Sequence, residues 1–180
     1  MKQIIIDTDP GIDDTMAIYF ALNSPELEVI GLTTVYGNTS NIQGTENALR
    51  ILEIANKEGI PVHTGASKPL MTEYLGKGEI VHGIDGQGNS NLVKPKIKEG
   101  DISAINFMKN KIDEFPGQIT LVPIGPLTNI AQLLTEYPGI DKKIKEIVLM
   151  GGNALSQGNA SPAAEANIKN DPEAANHVFK

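Results

Sequence analysis

The stretch "IIIDTDPGIDDTMAIYF", residues 4–20, places four aspartates within eight positions directly after three isoleucines. The isoleucine run, followed by Pro10 and Gly11, predicts a short buried strand and its exit turn. From Asp13 onward the apolar residues recur at near-helical spacing and predict a helix. Carboxylates beside a core strand repel one another and lose hydration, which lowers the stability of the fold. The four aspartates therefore need an opposite charge that offsets this cost.

Further strand-like and helix-like segments alternate along the chain, which is typical of a parallel sheet with crossover helices. We therefore predict an α/β fold with an open, mostly parallel, doubly wound (Rossmann-like) sheet flanked by helices. Ligands should then bind at the carboxyl ends of the strands. The predicted strands are 2–7, 27–38, 61–65, 118–125 and 144–152, and the predicted helices are 13–26, 41–60 (ending at Gly59), 101–115, 126–138 and 171–179, with loops at 66–100 and 151–162.

Composition narrows the class of protein. The chain has 180 residues, a net charge of −7 and no cysteine. The acidic balance and the lack of a Lys/Arg cluster argue against a nucleic-acid partner. Without cysteine there is no disulfide and no thiolate chemistry. The apolar runs are too short to span a membrane, and "MKQIIIDTD" does not fit a signal peptide. A soluble cytoplasmic protein of one domain, 1–180, is the expectation.

The four aspartates allow two interpretations. Asp7 and Asp9 end the predicted strand, whereas Asp13 and Asp14 fall in the first helical turn, where the helix dipole favours negative charge. Helix capping alone explains Asp13 or Asp14 but leaves the others unexplained. A bound cation explains all four, and oxygen ligands suit Ca²⁺ or Mg²⁺.

Three common phosphate or metal motifs fit this stretch poorly. An EF-hand counted from Asp7 would need different residues at Gly11, Ile12 and Ile18. The haloacid dehalogenase pattern requires Thr or Val at the place of Gly11. Because of this mismatch, a Mg²⁺-dependent phosphohydrolase with Asp7 as its nucleophile is only a weaker alternative. The Gly-Lys-Ser/Thr ending of a P-loop is absent.

"DTDPGIDD" resembles the calcium-dependent nucleoside hydrolases of the inosine-uridine preferring type. Five further segments resemble that family in the family's order, so the resemblance covers nearly the whole chain. They are "TTVYGN" (33–38), "VHGIDGQG" (81–88), "LVPIGPLTNIA" (121–131), "EIVLMGG" (146–152) and "GNASPAAEANIKNDPEAA" (158–175). The resemblance implies hydrolysis of ribonucleosides to a free base and ribose, with Ca²⁺ as cofactor and a homo-oligomeric assembly.

The resemblance also implies roles for individual residues. Asp9 and Asp14 resemble carboxylate ligands of Ca²⁺, Ile124 lies where the family supplies a main-chain carbonyl, and Asp9 resembles the acceptor of the water proton. The residues implied to contact the substrate are Asp13 and Asn38 near the sugar, Asn159, Glu165 and Asn167 on the ribose hydroxyls, Met150 under the sugar, and His82 near the base.

Without the family, several of these residues have plainer readings. Asn38 follows a glycine and suits an ordinary turn. His82, in a Gly-rich loop, would be a solvent-exposed bystander, and Met150 would be a core residue. Glu165 and Asn167 alternate along a predicted extended stretch, so both could face one pocket.

Family chains continue beyond position 180, and their later part carries an Asp that completes the Ca²⁺ shell. We therefore expect a domain that is incomplete at its C-terminus, with apolar sheet surface left bare and prone to association. Ala166 also replaces a Phe that is common in the family. The alternatives are a relic that binds Ca²⁺ or ribose without turnover, and a partner chain that supplies the missing acid.

Overall fold

The structure is a computed structural model that describes residues 1–76 and 78–180. Its five strands form one parallel sheet with the order β3-β2-β1-β4-β5. The strands are β1 (Lys2–Thr8), β2 (Leu27–Thr34), β3 (Val62–Thr64), β4 (Thr120–Pro123) and β5 (Glu146–Ile147). The helices are α1 (Ile12–Asn23), α2 (Asn41–Ile54), α3 (Glu79–His82), α4 (Ala104–Glu114), α5 (Thr128–Glu136), α6 (Ala166–Asn170) and α7 (Pro172–Val178), with a 3₁₀ turn at Ile140–Lys143. The predicted open, parallel α/β fold is confirmed.

The isoleucine run of β1 serves both faces of the sheet. Ile5 packs with residues of α4, α5 and α7, whereas Ile4 and Ile6 pack with residues of α1 and α2. Successive side chains of a strand point to opposite faces, so a strand that packs on both sides favours consecutive apolar residues. All three isoleucines are at most 3% exposed. This central strand therefore holds the two helical layers together.

Helix α2 is shorter than the sequence predicts. It ends at Ile54 and not at Gly59, because Asn56 takes the left-handed conformation with φ 54°. Asn56 N donates to Glu53 O (3.1 Å), and Lys57 N donates to Leu52 O (2.8 Å). These two bonds form a Schellman motif, in which asparagine fills the place usually taken by glycine.

Other predicted boundaries also need correction near the cleft described below. The predicted loop 66–100 contains the short helix α3, and the predicted strand 144–152 is regular only at Glu146–Ile147. Beyond that pair, Val148 N and Met150 N still donate to Leu121 O and Pro123 O, at 2.9 Å each. The prediction of α7 is confirmed, with the Asp171 side chain as N-cap and Pro172 at the first position.

The order of the strands creates a crevice at the carboxyl ends of β1 and β4. The chain winds from β1 through β2 to β3 on one side, and continues through β4 and β5 on the other. Ligands of doubly wound sheets bind where the winding reverses. Asp9 follows β1 and Ile124 follows β4, so both lie at this point.

The helices within residues 1–76 and 78–180 include none with the length and apolar character that a membrane span requires.

Gly31 in β2 provides a test of the packing between the sheet and α4. A Cβ at Gly31 would collide with the ring of Phe107, which is 5% exposed and stacked on His63 with ring centroids 4.2 Å apart. Because that ring has little room to move, we expect Gly31→Ala to lower the free energy of unfolding by about 1–3 kcal/mol. Urea denaturation measures the change.

Gly59→Ala is the matched control. Its Cβ would meet no atom within 4 Å. We expect Gly59→Ala to leave stability unchanged or to raise it by about 0.4–1 kcal/mol, through the lower entropy of the unfolded chain. Equal stability of the two variants would contradict the tight contact between Gly31 and Phe107.

Candidate functional site

Asp9 lies beneath the crevice and is almost completely buried. The carboxylate is 1% exposed, and its Oδ2 accepts a hydrogen bond from Asn38 N at 2.7 Å. Within residues 1–76 and 78–180, no group donates to its Oδ1. Glycines surround the carboxylate, since a Cβ at Gly37 would collide with Oδ2 and a Cβ at Gly125 would lie 2.7 Å from Oδ1. The backbone of two loops therefore packs directly against this acid.

Asp14 lies beside Asp9 and is held by three donors. Its Oδ1 accepts from Thr8 Oγ1 (2.7 Å), and its Oδ2 accepts from Asn38 Nδ2 (2.8 Å) and Gly11 N (3.2 Å). Burial raises the pKa of Asp14. Burial, together with the charge of Asp14, raises the pKa of Asp9 well above its usual range. Two neighbouring acids with raised pKa values favour a bound proton or a bound cation.

Asp7 has a different environment from the other acids. Its Oδ1 accepts from Thr33 Oγ1 (2.6 Å) and from Asn129 Nδ2 (2.8 Å), and burial raises its pKa to about 7. Asn129 also donates to Thr34 O (3.0 Å) and accepts from Ala66 N (2.8 Å). Asp7 is not among the residues that line the crevice. It therefore joins the ends of β1 and β2 to α5 and is poorly placed to attack a substrate.

The crevice opens into a cleft of about 1110 Å³. The structure brings nine of the ten sequence-predicted site residues to its walls, and the tenth, Asp9, lies buried below. The nine are Asp13, Asp14, Asn38, His82, Ile124, Met150, Asn159, Glu165 and Asn167. Residues from six separate sequence segments therefore meet at one place.

Ile124 and Asn167 form one wall of the cleft. Asn167 Nδ2 donates to Ile124 O (2.8 Å) and to Met150 O (3.1 Å). A carbonyl oxygen has two lone pairs, so Ile124 O keeps one acceptor position beyond this bond. Met150 follows β5 and is half exposed, which corrects its reading as a core residue.

Glu165 and Asn167 do not alternate along an extended stretch as the sequence predicts. Asn167 belongs to α6, and Glu165 is the N-cap of that helix. The Glu165 carboxylate accepts from Asn167 N (2.8 Å), Ile168 N (3.1 Å) and Gly152 N (2.8 Å). A side chain that reaches its own helical N–H groups satisfies donors that the helix leaves free. The short helix was missed because its five residues give no measurable periodicity.

His82 closes α3 and is not an exposed bystander, since its side chain is 13% exposed. Its Nδ1 lies 3.3 Å from Ile12 N and 3.7 Å from Asp13 Oδ1. Asp13 itself is largely exposed. Helix α3 thus contacts the start of α1 directly through His82. Asn159 is also exposed, and its Oδ1 accepts from Ala166 N at 2.8 Å.

Sequence reasoning missed a pair of tyrosines under the cleft. Tyr36 and Tyr74 have ring centroids 5.3 Å apart, and Tyr74 Oη donates to Gly37 O at 3.1 Å. Tyr36 Oη lies 3.1 Å from Thr128 Oγ1. Burial raises the pKa of Tyr74 to about 12, so its hydroxyl stays a donor. Tyr36 lies inside the quoted segment "TTVYGN", which could have signalled it, but nothing in the sequence marks Tyr74.

A second, apolar groove lies on the sheet face beside α1. Its walls include Ile4, Ile6 and Val122, and Phe20 of α1 is 75% exposed at its rim. Val148, in the same groove, is 50% exposed. The exposed apolar side chains at this groove are thus Phe20 and Val148, whereas Ile4 and Ile6 of the sheet are buried.

The described part of the chain gathers no group of three or more His, Asp or Glu side chains around one point. The metal ligands predicted from the sequence comprise only two carboxylates, Asp9 and Asp14, and the main-chain carbonyl of Ile124. This set matches the oxygen chemistry that hard cations prefer.

Residues 4–180 match the family described as inosine-uridine preferring nucleoside hydrolase. The chain is 47% identical over 178 residues to uridine nucleosidase 1 of Arabidopsis thaliana, covering 99% of this chain and 53% of that protein. It is 46% identical over 179 residues to the pyrimidine-specific ribonucleoside hydrolase RihA of Shewanella, covering 99% and 56%.

Solved structures give the same result for the fold. A plant nucleoside hydrolase superposes with a TM-score of 0.93 at 48% identity, covering 99% of this chain and 56% of that one. A purine-preferring ribonucleoside hydrolase from Gardnerella vaginalis gives 0.94 at 39% identity, covering 99% and 57%. The chain thus spans just over half the length of these relatives. It belongs to the inosine-uridine preferring nucleoside hydrolase family.

Proposed function

We propose that the protein formed by this chain hydrolyses the N-glycosidic bond of ribonucleosides, releasing a free base and ribose. Membership of the family supports the reaction class. The observation that carries the proposal is the Asp9 carboxylate, buried at the end of β1 with no donor to Oδ1 within the described residues. A buried acid that lacks a partner is costly unless a ligand or proton completes its environment.

Ca²⁺ fits the groups at this point. Asp9 Oδ1, an Asp14 oxygen and the free lone pair of Ile124 O are all oxygen donors, as Ca²⁺ requires. We propose Asp9, Asp14 and Ile124 as its ligands in this chain. When bound, Ca²⁺ supplies a Lewis acid that makes water more acidic and can chelate vicinal ribose hydroxyls.

Asp9 acts as the general base. Burial raises the pKa of Asp9, which makes its ionised carboxylate a stronger proton acceptor than an exposed aspartate. The water oxygen forms the new bond to the ribose carbon as the bond to the base nitrogen breaks, and Asp9 receives the water proton. The electron pair of the broken bond stays on the base nitrogen, which takes up a proton from solvent, and Asp9 then releases its own proton to solvent. The glycine backbones packed around Asp9 fix its direction, because the carboxylate has no room to rotate.

The remaining cleft residues hold the sugar. We propose that Asp13, Asn38 and Asn159 bind ribose hydroxyls, with Met150 as the apolar contact under the ring. Fixing the ribose in one pose lowers the entropic part of the barrier. Glu165 and Asn167 are also proposed for the ribose, and their bonds to α6, Ile124 and Met150 hold both side chains at the cleft wall. His82 lies on the base side.

A second candidate is binding of Ca²⁺ or ribose without turnover. It is favoured by the oxygen donors of Asp9, Asp14 and Ile124, which can hold a cation whether or not Asp9 accepts a proton. The phosphohydrolase alternative is not favoured, since Asp7 contacts Thr33 and Asn129, neither of which lines the cleft, whereas Asp9 contacts the cleft residue Asn38. Uridine is the first substrate to assay, because the relatives at 46–47% identity are named for uridine or pyrimidine nucleosides.

Replacing Asp9 tests the proposed base and metal ligand. We expect Asp9→Asn to lower Ca²⁺-dependent ribose release from uridine by about 10²–10⁴-fold, because the amide cannot accept the water proton. Release of reducing sugar, with Ca²⁺ or with a chelator, measures the effect. The circular dichroism spectrum should not change, because asparagine has the shape of aspartate.

Asp101→Asn is the control, since it makes the same chemical change at an exposed acid away from the cleft. Full activity of Asp9→Asn would overturn the assignment. If the wild-type chain binds Ca²⁺ through Asp9 but releases no ribose, the binding alternative is correct for these 180 residues.

The raised pKa values of the buried acids also predict a pH-dependent stability. Asp7 holds its proton to about pH 7 in the folded chain but only to 3.8 when unfolded. The folded state therefore binds more protons between these values, and its stability falls as pH rises through that window. We expect the melting temperature of the Ca²⁺-free chain to fall between about pH 5 and pH 7. Asp7→Asn should flatten the slope.

Added Ca²⁺ should act most strongly at the alkaline end. A cation stabilises ionised carboxylates and competes with protons, so the rise in melting temperature should be larger at about pH 8 than at about pH 6. Differential scanning fluorimetry measures both effects, with Asp101→Asn as control. An equal Ca²⁺ effect at both pH values would show that the ion binds away from the buried acids.

A further inference from the structure

The loop that follows His82 is folded around a single carboxylate. Asp85 Oδ1 accepts from Gln87 N and Asn89 N, both at 2.8 Å, and its Oδ2 accepts from Asn91 N at 3.2 Å. Asn89 Oδ1 in turn accepts from Ile84 N at 2.8 Å. Residues 83–91, the base-side loop, therefore have a defined internal structure that can be moved or held as a unit.

This loop contacts the turn that carries the acids, residues 9–14. Gln87 Nε2 donates to Gly11 O (3.2 Å) and Thr15 Oγ1 (3.0 Å). These contacts are partly buried. The loop is also held by a residue that neither the proposed chemistry nor the sequence motifs include.

That residue is Asn47 of α2, which is completely buried. Its Nδ2 donates to Pro10 O (3.0 Å) and to Asp85 O (2.9 Å). Its Oδ1 accepts from Gln43 Nε2 (3.1 Å) and from Arg50 Nη1 (2.9 Å). All four hydrogen-bonding positions of the amide are thus used. One side chain joins the acid-bearing turn to the base-side loop.

Arg50 determines which way this amide points. It is 7% exposed, and its Nη2 and Nε donate to Glu46 Oε1 (2.6 Å) and Val93 O (2.9 Å). A guanidinium can only donate, so Asn47 must turn its oxygen to Arg50 and its two N–H groups to the carbonyls. The orientation follows from the charge and does not depend on a choice between oxygen and nitrogen.

Gly86 shows how closely the loop approaches this amide. A Cβ there would lie 2.9 Å from Asn47 Nδ2 and 3.3 Å from Pro10 O, and the backbone has φ +70°. The loop therefore reaches Asn47 only because position 86 lacks a side chain.

We infer that Asn47 is a positioning residue that locks the base-side loop and the acid-bearing turn into one arrangement. This inference rests on the proposed function for its purpose, since the turn carries Asp9 and Asp14 and the loop directly follows His82, the residue proposed for the base side of the cleft. Asn47 touches neither substrate nor ion. It acts from α2 by donating to the carbonyl oxygens of Pro10 and Asp85, and it thereby holds these two segments together.

Asn47→Asp is the sharpest test because it keeps the size of the side chain and the acceptor that faces Arg50. It replaces the bridging NH₂ with an oxygen that faces two carbonyl oxygens. Asn41→Asp is the matched control on the same helix, since Asn41 Nδ2 donates to Gly65 O (2.8 Å), away from the loop and the turn.

Backbone hydrogen exchange in the Ca²⁺-free chain is the first measurement. We expect Asn47→Asp to speed exchange about tenfold or more at Gln87 and Asn89 in the loop, and also at Gly11 in the turn, since two buried hydrogen bonds are lost. Asn41→Asp should leave these amides unchanged. Faster exchange in the loop alone, or equal rates in both variants, would overturn the inference.

Ca²⁺ affinity, measured by calorimetry, is the second readout. We expect Asn47→Asp to weaken binding by about 10–100-fold, as changes in groups that orient ligands do, and Asn41→Asp to leave it unchanged. Unchanged affinity in Asn47→Asp would overturn the inference. A wild-type chain that binds no Ca²⁺ would count against the proposed function, and hydrogen exchange would still decide the role of Asn47.

A second pair of variants covers the case in which Asn47→Asp does not fold. Gly86→Ala pushes the loop away from Asn47, whereas Gly117→Ala has the same left-handed strain (φ +72°) with no atom within 4 Å of the new Cβ. We expect faster exchange at Gly11 in Gly86→Ala only. Equal exchange in the two alanine variants would overturn the inference.

Discussion

The burial of Asp9 is the constraint on which the site depends. Removing a carboxylate from water costs several kcal/mol unless charge or hydrogen bonds replace the solvent. The chain supplies one donor, Asn38 N, and leaves Oδ1 without one among the described residues. Asp14, which could have moved away, is instead held next to Asp9 by Thr8 and Asn38. The two acids are therefore held close together at an electrostatic cost, which a bound proton or cation would lower.

The parallel sheet makes that burial possible. β1 lies between β2 and β4, so residues leaving its carboxyl end emerge between the two loops that follow the neighbouring strands. Gly37 and Gly125 lie in those loops and pack against the two oxygens of Asp9. A side chain at either position would displace the acid. The fold and the glycines together therefore determine where the carboxylate points.

Much of this arrangement could be predicted from the sequence. The alternation of strand-like and helix-like segments predicted the parallel α/β fold, which the sheet has. Residues that follow strands, such as Asn38 and Ile124, were expected at one edge of the sheet, and they line one cleft. Errors arose where local hydrogen bonds overrode the usual signals. Asn56 ends α2 by a left-handed turn that glycine normally makes, and Glu165 caps a helix too short to show a period.

Long-range contacts were the other limit. The position of His82 against α1, and the bridge made by Asn47, depend on how residues 79–91 fold back over the sheet. Asn47 has no distinguishing feature in the sequence, because a buried polar residue on a helix looks like a surface one. Only its partners, which lie far along the chain, reveal its burial.

The pairing of the first strand with β4 has a consequence for how the protein is made. Ile4 at the start of the chain pairs with Thr120, so β1 is translated long before its second neighbour exists. Until then one edge of β1 stays open, and pairings between distant residues form slowly. The nascent chain must therefore protect residues 2–8, or delay their docking, until β4 has left the ribosome.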